Sequence, residues 1–238
     1  AKIAAEKAGI IKPNVPLVVY PQPHDAMQVI QDVCQRLNSP CVEVSFDSLK
    51  ILSNTLEELR FEYQNDIYTI KLIAPYQAQN AVMAIEAIKA LRGYAINGDH
   101  IRQGLIEAAW PARMEIIHQD PLVIIDGAHN LHGIQGLASS MKPLLGDRKV
   151  IAVLGILADK DYNAMLETIL PLVHKVIATQ PNNPRALKAS ELYQLLPSDK
   201  RLSYHEIAHD AVKRAIEDAK HEDAVVIAFG SLYLVGEV

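Results

Sequence analysis

Tryptophan occurs once in these 238 residues, phenylalanine three times and cysteine twice. Two cysteines, Cys34 and Cys41, are too few for a disulfide framework, so a reducing, cytoplasmic setting is expected. Cys34 falls on the apolar side of a predicted helix and reads as a buried thiol. No block of lysine and arginine stands out and aromatics are scarce, which removes nucleic acid from the expected partners. Apolar runs stay short of the roughly 20 residues that a membrane span requires, and no stretch reads as a signal peptide. GxxxxGKS or GxxxxGKT, GxGxxG, CxxC and GxSxG are all missing. The residues present therefore offer no phosphate loop, dinucleotide fingerprint, paired-cysteine metal motif or nucleophile elbow.

What is there is an ordinary soluble composition, half hydrophobic, with 23 basic against 28 acidic side chains and a net charge of -5. The length admits one large domain or two smaller ones with a real core. A monomer is expected. The first segment, AKIAAEKAGIIKP, has no initiator Met and reads as the end of a helix, stopped by Gly9 and Pro13. The expectation is a fragment whose upstream part is absent.

Residues 15–20 read as a buried strand, 24–38 as an amphipathic helix and 40–46 as a second strand. LRFEYQNDIYTIKLI is a hairpin turning at Gln64-Asn65-Asp66. Helices are predicted over 78–92 and 98–108, and AAWPAR then breaks the pattern, so a domain boundary is placed at 110/111. Beyond it strands at 121–125, 149–154, 173–178, 202–205 and 224–228 alternate with helices at 132–145, 161–170, 188–196 and 207–219. Short apolar strands between amphipathic helices predict a doubly wound α/β domain over 111–238. Residues 1–110 read as the tail of another α/β domain.

In such a domain ligands collect at the carboxyl ends of the strands. Those ends are DGAHN (126–130), GILADKD (155–161), TQPNNPRA (179–186) and FGSLY (229–233). They bring a carboxylate, an imidazole, an amide, a lysine, an arginine and a hydroxyl toward one rim. Plainer readings stand beside this one: Asp161 as a helix cap, and Asn182, Asn183 and Pro184 as a turn. The residues alone give an α/β protein with a polar, anion-handling rim.

Taken in order, IAAEKAGIIKPNVPLV (3–18), WPARMEI (110–116), IIDGAHN (124–130), GILADKD, NNPRALKASEL (182–192) and GSLY (230–233) resemble folylpolyglutamate synthase. The likeness includes the form that is also a dihydrofolate synthase, within the Mur-type ligases, and it spans essentially the whole chain. EKAGI with DGAHN is its most specific part. The resemblance implies a P-loop-type ATPase domain followed by a smaller Rossmann-like domain. It also implies ATP and Mg²⁺, with L-glutamate joined to a folate γ-carboxylate or to dihydropteroate through an acyl phosphate.

Residue by residue, the resemblance assigns Lys7 of EKAGI to Mg²⁺ through a carbamate, which converts a cation into an anion. Arg113 of WPAR would reach the ATP phosphates, and Asp126 the nucleotide ribose. His129 would position the phosphates and the incoming glutamate. Asn80 would lie near the adenine, although a helix N-cap explains it nearly as well. Ser231 would help hold glutamate. Lys160 would pair with a neighbouring carboxylate. Leu131 departs from the family, which has proline after DGAHN, and the phosphate loop is missing, so this piece by itself is expected to be inactive. Two other readings remain open: a peptidoglycan-precursor ligase of the Mur type, and a noncatalytic Rossmann-like binding module.

Overall fold

A computed structural model describes residues 2–238 of the chain. They separate into two units, one made of 2–53, 59–71 and 76–108, the other of 54–58, 72–75 and 109–238.

In the first unit, α1 (Lys2–Lys7) runs into a single 3-10 turn at Ala8–Ile10. Strand β1 (Leu17–Val19) pairs in parallel with β2 (Cys41–Glu43), and α2 (His24–Arg36) makes the crossover. Ala8, Ile11 and Cys34 form a small buried cluster backed by Leu17, Ile30, Val33 and Leu37, so the expected buried thiol at Cys34 is found. A three-stranded sheet follows in the order β3 (Lys50–Asn54), β4 (Leu59–Tyr63), β5 (Asp66–Ile70). Gln64 and Asn65 both take positive φ, 52° and 67°, as a two-residue hairpin turn requires. The alternation of β4 buries Leu59, Phe61 and Tyr63, and Phe61 stacks on its cross-strand partner Tyr68 at 5.5 Å. Strand β3 was not expected; it is half to fully exposed and carries no alternating pattern.

Helix α3 (Gln77–Ala90) buries Ala78, Ala81, Val82 and Ile85. Helix α4 (Gly98–Glu107) starts with a capping box. The Asn97 side chain accepts the His100 N–H at 3.0 Å, and the His100 ring accepts the Asn97 N–H.

The second unit is built on β6 (Glu115–Gln119), β7 (Leu122–Ile125), β8 (Lys149–Leu154), β9 (Lys175–Thr179), β10 (Arg201–His205) and β11 (Ala224–Phe229). Helices α5 (Leu131–Leu145), α6 (Tyr162–Ile169), α7 (Ala189–Leu195) and α8 (Ala208–Glu222) connect the strands, and α9 (Leu232–Val235) follows β11. The spatial order is β10-β9-β8-β11-β7-β6. Five strands are parallel, as the apolar runs predict. The sixth corrects the expectation: β6 lies antiparallel on β7, joined at Asp120-Pro121. An edge strand faces solvent, so its residues need not be apolar, and β6 is almost wholly exposed.

One face of this sheet, with Val123, Ile125, Ile151, Val153, Ile177, Val226 and Ala228, packs on Ala211, Val212, Ala215 and Ala219 of α8. Each buried valine or isoleucine contributes on the order of 2 kcal/mol. Small alanines on α8 let the helix approach the sheet closely. Among the described residues no helix is long and apolar enough to cross a membrane.

Candidate functional site

The chain leaves β7 at Asp126, whose backbone N–H still donates to the Ala228 carbonyl of β11 at 3.0 Å. The Asp126 side chain is 3% exposed. Its Oδ1 accepts the Ala128 N–H at 2.8 Å and its Oδ2 accepts the Met114 N–H at 2.9 Å. Burial pushes the carboxyl above the usual carboxylate range; the two N–H donors and the Arg113 charge pull it back less strongly. Asp126 thus ties together two segments that the sequence keeps twelve residues apart.

The segment it holds is a strained turn. Ala112 and Met114 both take left-handed backbone, φ 57° and 50°, on either side of Arg113. Side chains disfavour that region, so the surrounding bonds must hold it. The Glu115 carboxylate accepts the Ala112 N–H at 2.7 Å. The Ala112 carbonyl accepts the Gly127 N–H at 2.8 Å and Arg113 Nη1 at 3.1 Å. A Cβ on Gly127 would stand 2.6 Å from Arg113 Nη1 and 2.6 Å from Leu232 Cδ2. The guanidinium therefore lies directly against the Gly127 backbone, in space that a side chain there would contest. Arg113 makes no ion pair among the described residues, so its charge is available to an anion.

His129 is half-buried, and its Nδ1 sits 2.8 Å from the Gly127 carbonyl. That contact needs a proton on Nδ1, which leaves Nε2 as an acceptor when the ring is neutral. Asn130 caps α5 by accepting the Gly133 N–H at 2.8 Å, and Leu131 takes the first helical position. From β11, Gly230 donates its N–H to the Ala128 carbonyl at 2.9 Å, with φ 113° and the Gly155 carbonyl 2.6 Å from where a Cβ would be. Ser231, 1% exposed, caps α9 by accepting the Tyr233 N–H at 3.1 Å. Its hydroxyl proton is not used by that bond.

The other two rim loops engage each other. Ala158 donates its N–H to the Arg185 carbonyl at 2.8 Å, and Arg185 Nη1 pairs with Asp159 at 3.2 Å. The partner of Asp159 is thus Arg185. Asp161 is the N-cap of α6, and Asn183 organises the turn before Ala186, as their plainer readings anticipate.

The second unit therefore brings Arg113, Asp126, His129 and Ser231 onto adjoining strand ends. Glu115 and Gly127, which hold the turn, lie inside the WPARMEI and DGAHN segments but receive no role of their own in the sequence reading. Lys7 and Asn80 belong to the other unit. Lys7 is exposed at the last position of α1. Asn80 is exposed at the fourth residue of α3, whose N-cap is Tyr76, so the capping alternative is excluded. Among the described residues no group of three or more His, Cys, Asp or Glu side chains could hold a metal ion. A Mg²⁺ donor set is not assembled around Lys7 by these residues.

Residues 112–232 match the family model described as Mur ligase, glutamate ligase domain. The chain is 33% identical to the dihydrofolate synthase/folylpolyglutamate synthase of Bacillus subtilis, over 100% of this chain and 57% of that protein. Folylpolyglutamate synthase of Mycobacterium tuberculosis, solved with ADP and AMPPCP, superposes with a TM-score of 0.85 at 27% identity. That match covers 99% of this chain and 58% of the other. An Escherichia coli structure in complex with DHPP and ADP gives 0.79 at 29% identity, over 98% and 54%. The chain spans a little over half the length of the relatives it matches.

Proposed function

Because the chain belongs to the Mur ligase family, with the glutamate ligase domain over residues 112–232, we propose that it forms part of an ATP-dependent folate ligase. The reaction joins L-glutamate to the γ-carboxylate of a tetrahydrofolate polyglutamate, and in a bifunctional enzyme also to dihydropteroate. The acceptor carboxylate oxygen attacks the γ-phosphorus of ATP and ADP leaves. The amino group of glutamate then attacks the acyl-phosphate carbonyl, phosphate leaves, and an amide remains. ATP and Mg²⁺ are the cofactors this reading implies.

The observation that carries the proposal is the Arg113 guanidinium, laid against Gly127 in the DGAHN segment and, among the described residues, in no ion pair with a carboxylate. A fixed cation offsets the charge that accumulates when a carboxylate approaches a triphosphate. Asp126 is assigned to the nucleotide ribose, and its carboxylate also holds the Arg113 turn. His129, with Nδ1 committed to Gly127, offers Nε2 to position the phosphates and the incoming glutamate. Ser231 retains a hydroxyl proton for the glutamate, and Asn80 is assigned to the adenine. Lys7 is assigned to Mg²⁺ through a carbamate, a role that requires donors besides the described ones.

The test is the complete gene product with Mg-ATP and L-glutamate, offered dihydropteroate and tetrahydrofolate in separate reactions. The expected result is ADP, phosphate and a product heavier by one glutamyl residue. Failure with both acceptors, or turnover of a muramoyl-peptide nucleotide instead, overturns the folate reading.

A further inference from the structure

Tyr20 reaches a residue sixty positions away: its hydroxyl lies 2.6 Å from Asn80 Oδ1. That separation suits O–H···O and is shorter than the usual N–H···O range, so the amide turns its oxygen to the phenol. Its nitrogen donates to Gln77 Oε1 at 2.8 Å, one turn back along α3, and Gln77 is itself buried. Two bonds thus fix the plane of the Asn80 amide and which end is which. Gln77 alone would not do so, because an amide partner can turn round with it. A phenol is a better donor than acceptor, and burial raises its pKa, so it stays protonated at neutral pH.

Each Asn80 amide atom keeps one unused capacity, a lone pair on Oδ1 and a hydrogen on Nδ2. Asn80 is exposed, so that pair is open to a ligand. Tyr20 follows β1 directly, at the carboxyl end of a parallel strand pair, where α/β folds place ligands. Its ring packs on Phe46 at 5.3 Å, and Phe46 lines an open cavity of about 440 Å³ with Pro21, Glu43 and Asp47.

We propose that Tyr20 is a positioning residue for base selection: it holds the Asn80 amide so that Oδ1 accepts the 6-amino group of adenine while Nδ2 donates to a ring nitrogen. A 6-oxo purine places a carbonyl oxygen against Oδ1, and only a turned amide meets it. The inference rests on the assignment of Asn80 to the nucleotide base and adds the group that enforces the choice. A matched amide pair discriminates between bases by roughly tenfold or more.

Calorimetric titration of the complete gene product with ADP and with inosine diphosphate tests this without requiring turnover. The wild type is expected to prefer ADP about tenfold. Tyr20→Phe keeps the ring against Phe46 and loses only the hydroxyl; it is expected to bring the preference close to unity. Asn80→Ala is expected to abolish it. If Tyr20→Phe keeps the wild-type preference while Asn80→Ala loses it, Tyr20 is not a positioning residue and the Asn80 assignment stands. A wild type without preference, or an Asn80→Ala variant that retains it, removes the Asn80 assignment and this inference with it.

Discussion

Met114 donates its backbone N–H to Asp126 Oδ2 at 2.9 Å, so a carboxylate at the end of one strand fixes the turn that precedes its antiparallel neighbour. Replacing Asp126 with alanine leaves that N–H and the Ala128 N–H without their acceptor. Each costs about 1–3 kcal/mol when buried and unpaired, so Asp126→Ala is expected to lose roughly 2–4 kcal/mol in urea denaturation. Asp126→Asn keeps one acceptor and should lose less. An unchanged unfolding midpoint for the alanine variant would show that the turn is held without this carboxylate.

The same residue carries a pH signature. Burial raises its folded pKa above the ordinary value of 3.8, so the folded chain takes up this proton at a higher pH than the unfolded chain. Its titration contributes stability that is complete below the unfolded value and is lost as pH rises through the folded one. Lowering the pH from 7 to 4 should therefore improve the wild type relative to Asp126→Asn. A difference that stays flat, or moves the other way, in unfolding measured across that range contradicts the raised pKa.

Gly127→Ala probes the approach of the arginine. Its Cβ would meet two flexible side-chain ends at 2.6 Å and the Ala112 carbonyl at 3.2 Å. The side chains can move, so the stability cost should be only about 1–3 kcal/mol. The guanidinium, however, must leave its place. In the complete gene product, the proposed ATP-dependent ligation is expected to fall roughly tenfold or more, with the loss largest in KM for ATP. Full activity in a folded variant would mean that the placement of Arg113 over Gly127 is unimportant.

In steady-state assays of the complete gene product, Arg113→Ala should reduce glutamate ligation by roughly a hundredfold, the scale on which a fixed charge stabilises a transition state. His129→Ala should reduce it by roughly ten- to a hundredfold through loss of positioning. Both variants should keep their unfolding midpoints close to wild type, because neither side chain is fully buried. Wild-type turnover in both would sink these assignments.

Leu131→Pro should be tolerated. Leu131 is the first residue of α5, where the ring of proline suits the helical φ and no intrahelical N–H bond is lost. Asn130 before it is already extended, φ -148° and ψ 169°, close to what a following proline demands. Stability is expected to change by less than about 1 kcal/mol, up or down, since some leucine packing is exchanged for chain stiffening. A loss well beyond that would mean the Leu131 side chain supports the loop.

How far the sequence reveals this chain depends on burial. Strands β7, β8, β9 and β11 are legible because both their faces are covered, which forces continuous apolar runs. The β4–β5 hairpin is legible because one face is buried and the turn uses Gln64-Asn65. Strands β3 and β6 are exposed, so nothing constrains their pattern, and α9 has too few residues for a helical period to appear. In the site, the strand-end position of Asp126 and His129 follows from DGAHN closing an apolar run. The left-handed backbone at Ala112 and Met114 does not, since neither residue type favours it and distant acceptors impose it. The Tyr20–Asn80 bond spans sixty residues and leaves no local trace.

Strand β11 comes last in chain order among the described strands, yet it sits between β8 and β7 in the middle of the six-stranded sheet. Until residues 224–229 emerge from the ribosome, β8–β9–β10 and β6–β7 have no shared hydrogen bonds and must wait as separate pieces. Assembly of the domain is thus committed to a late, long-range event, slow by the measure of sequence separation. A frameshift just before residue 224 would accordingly cleave the sheet down its centre and expose two apolar edges to aggregation.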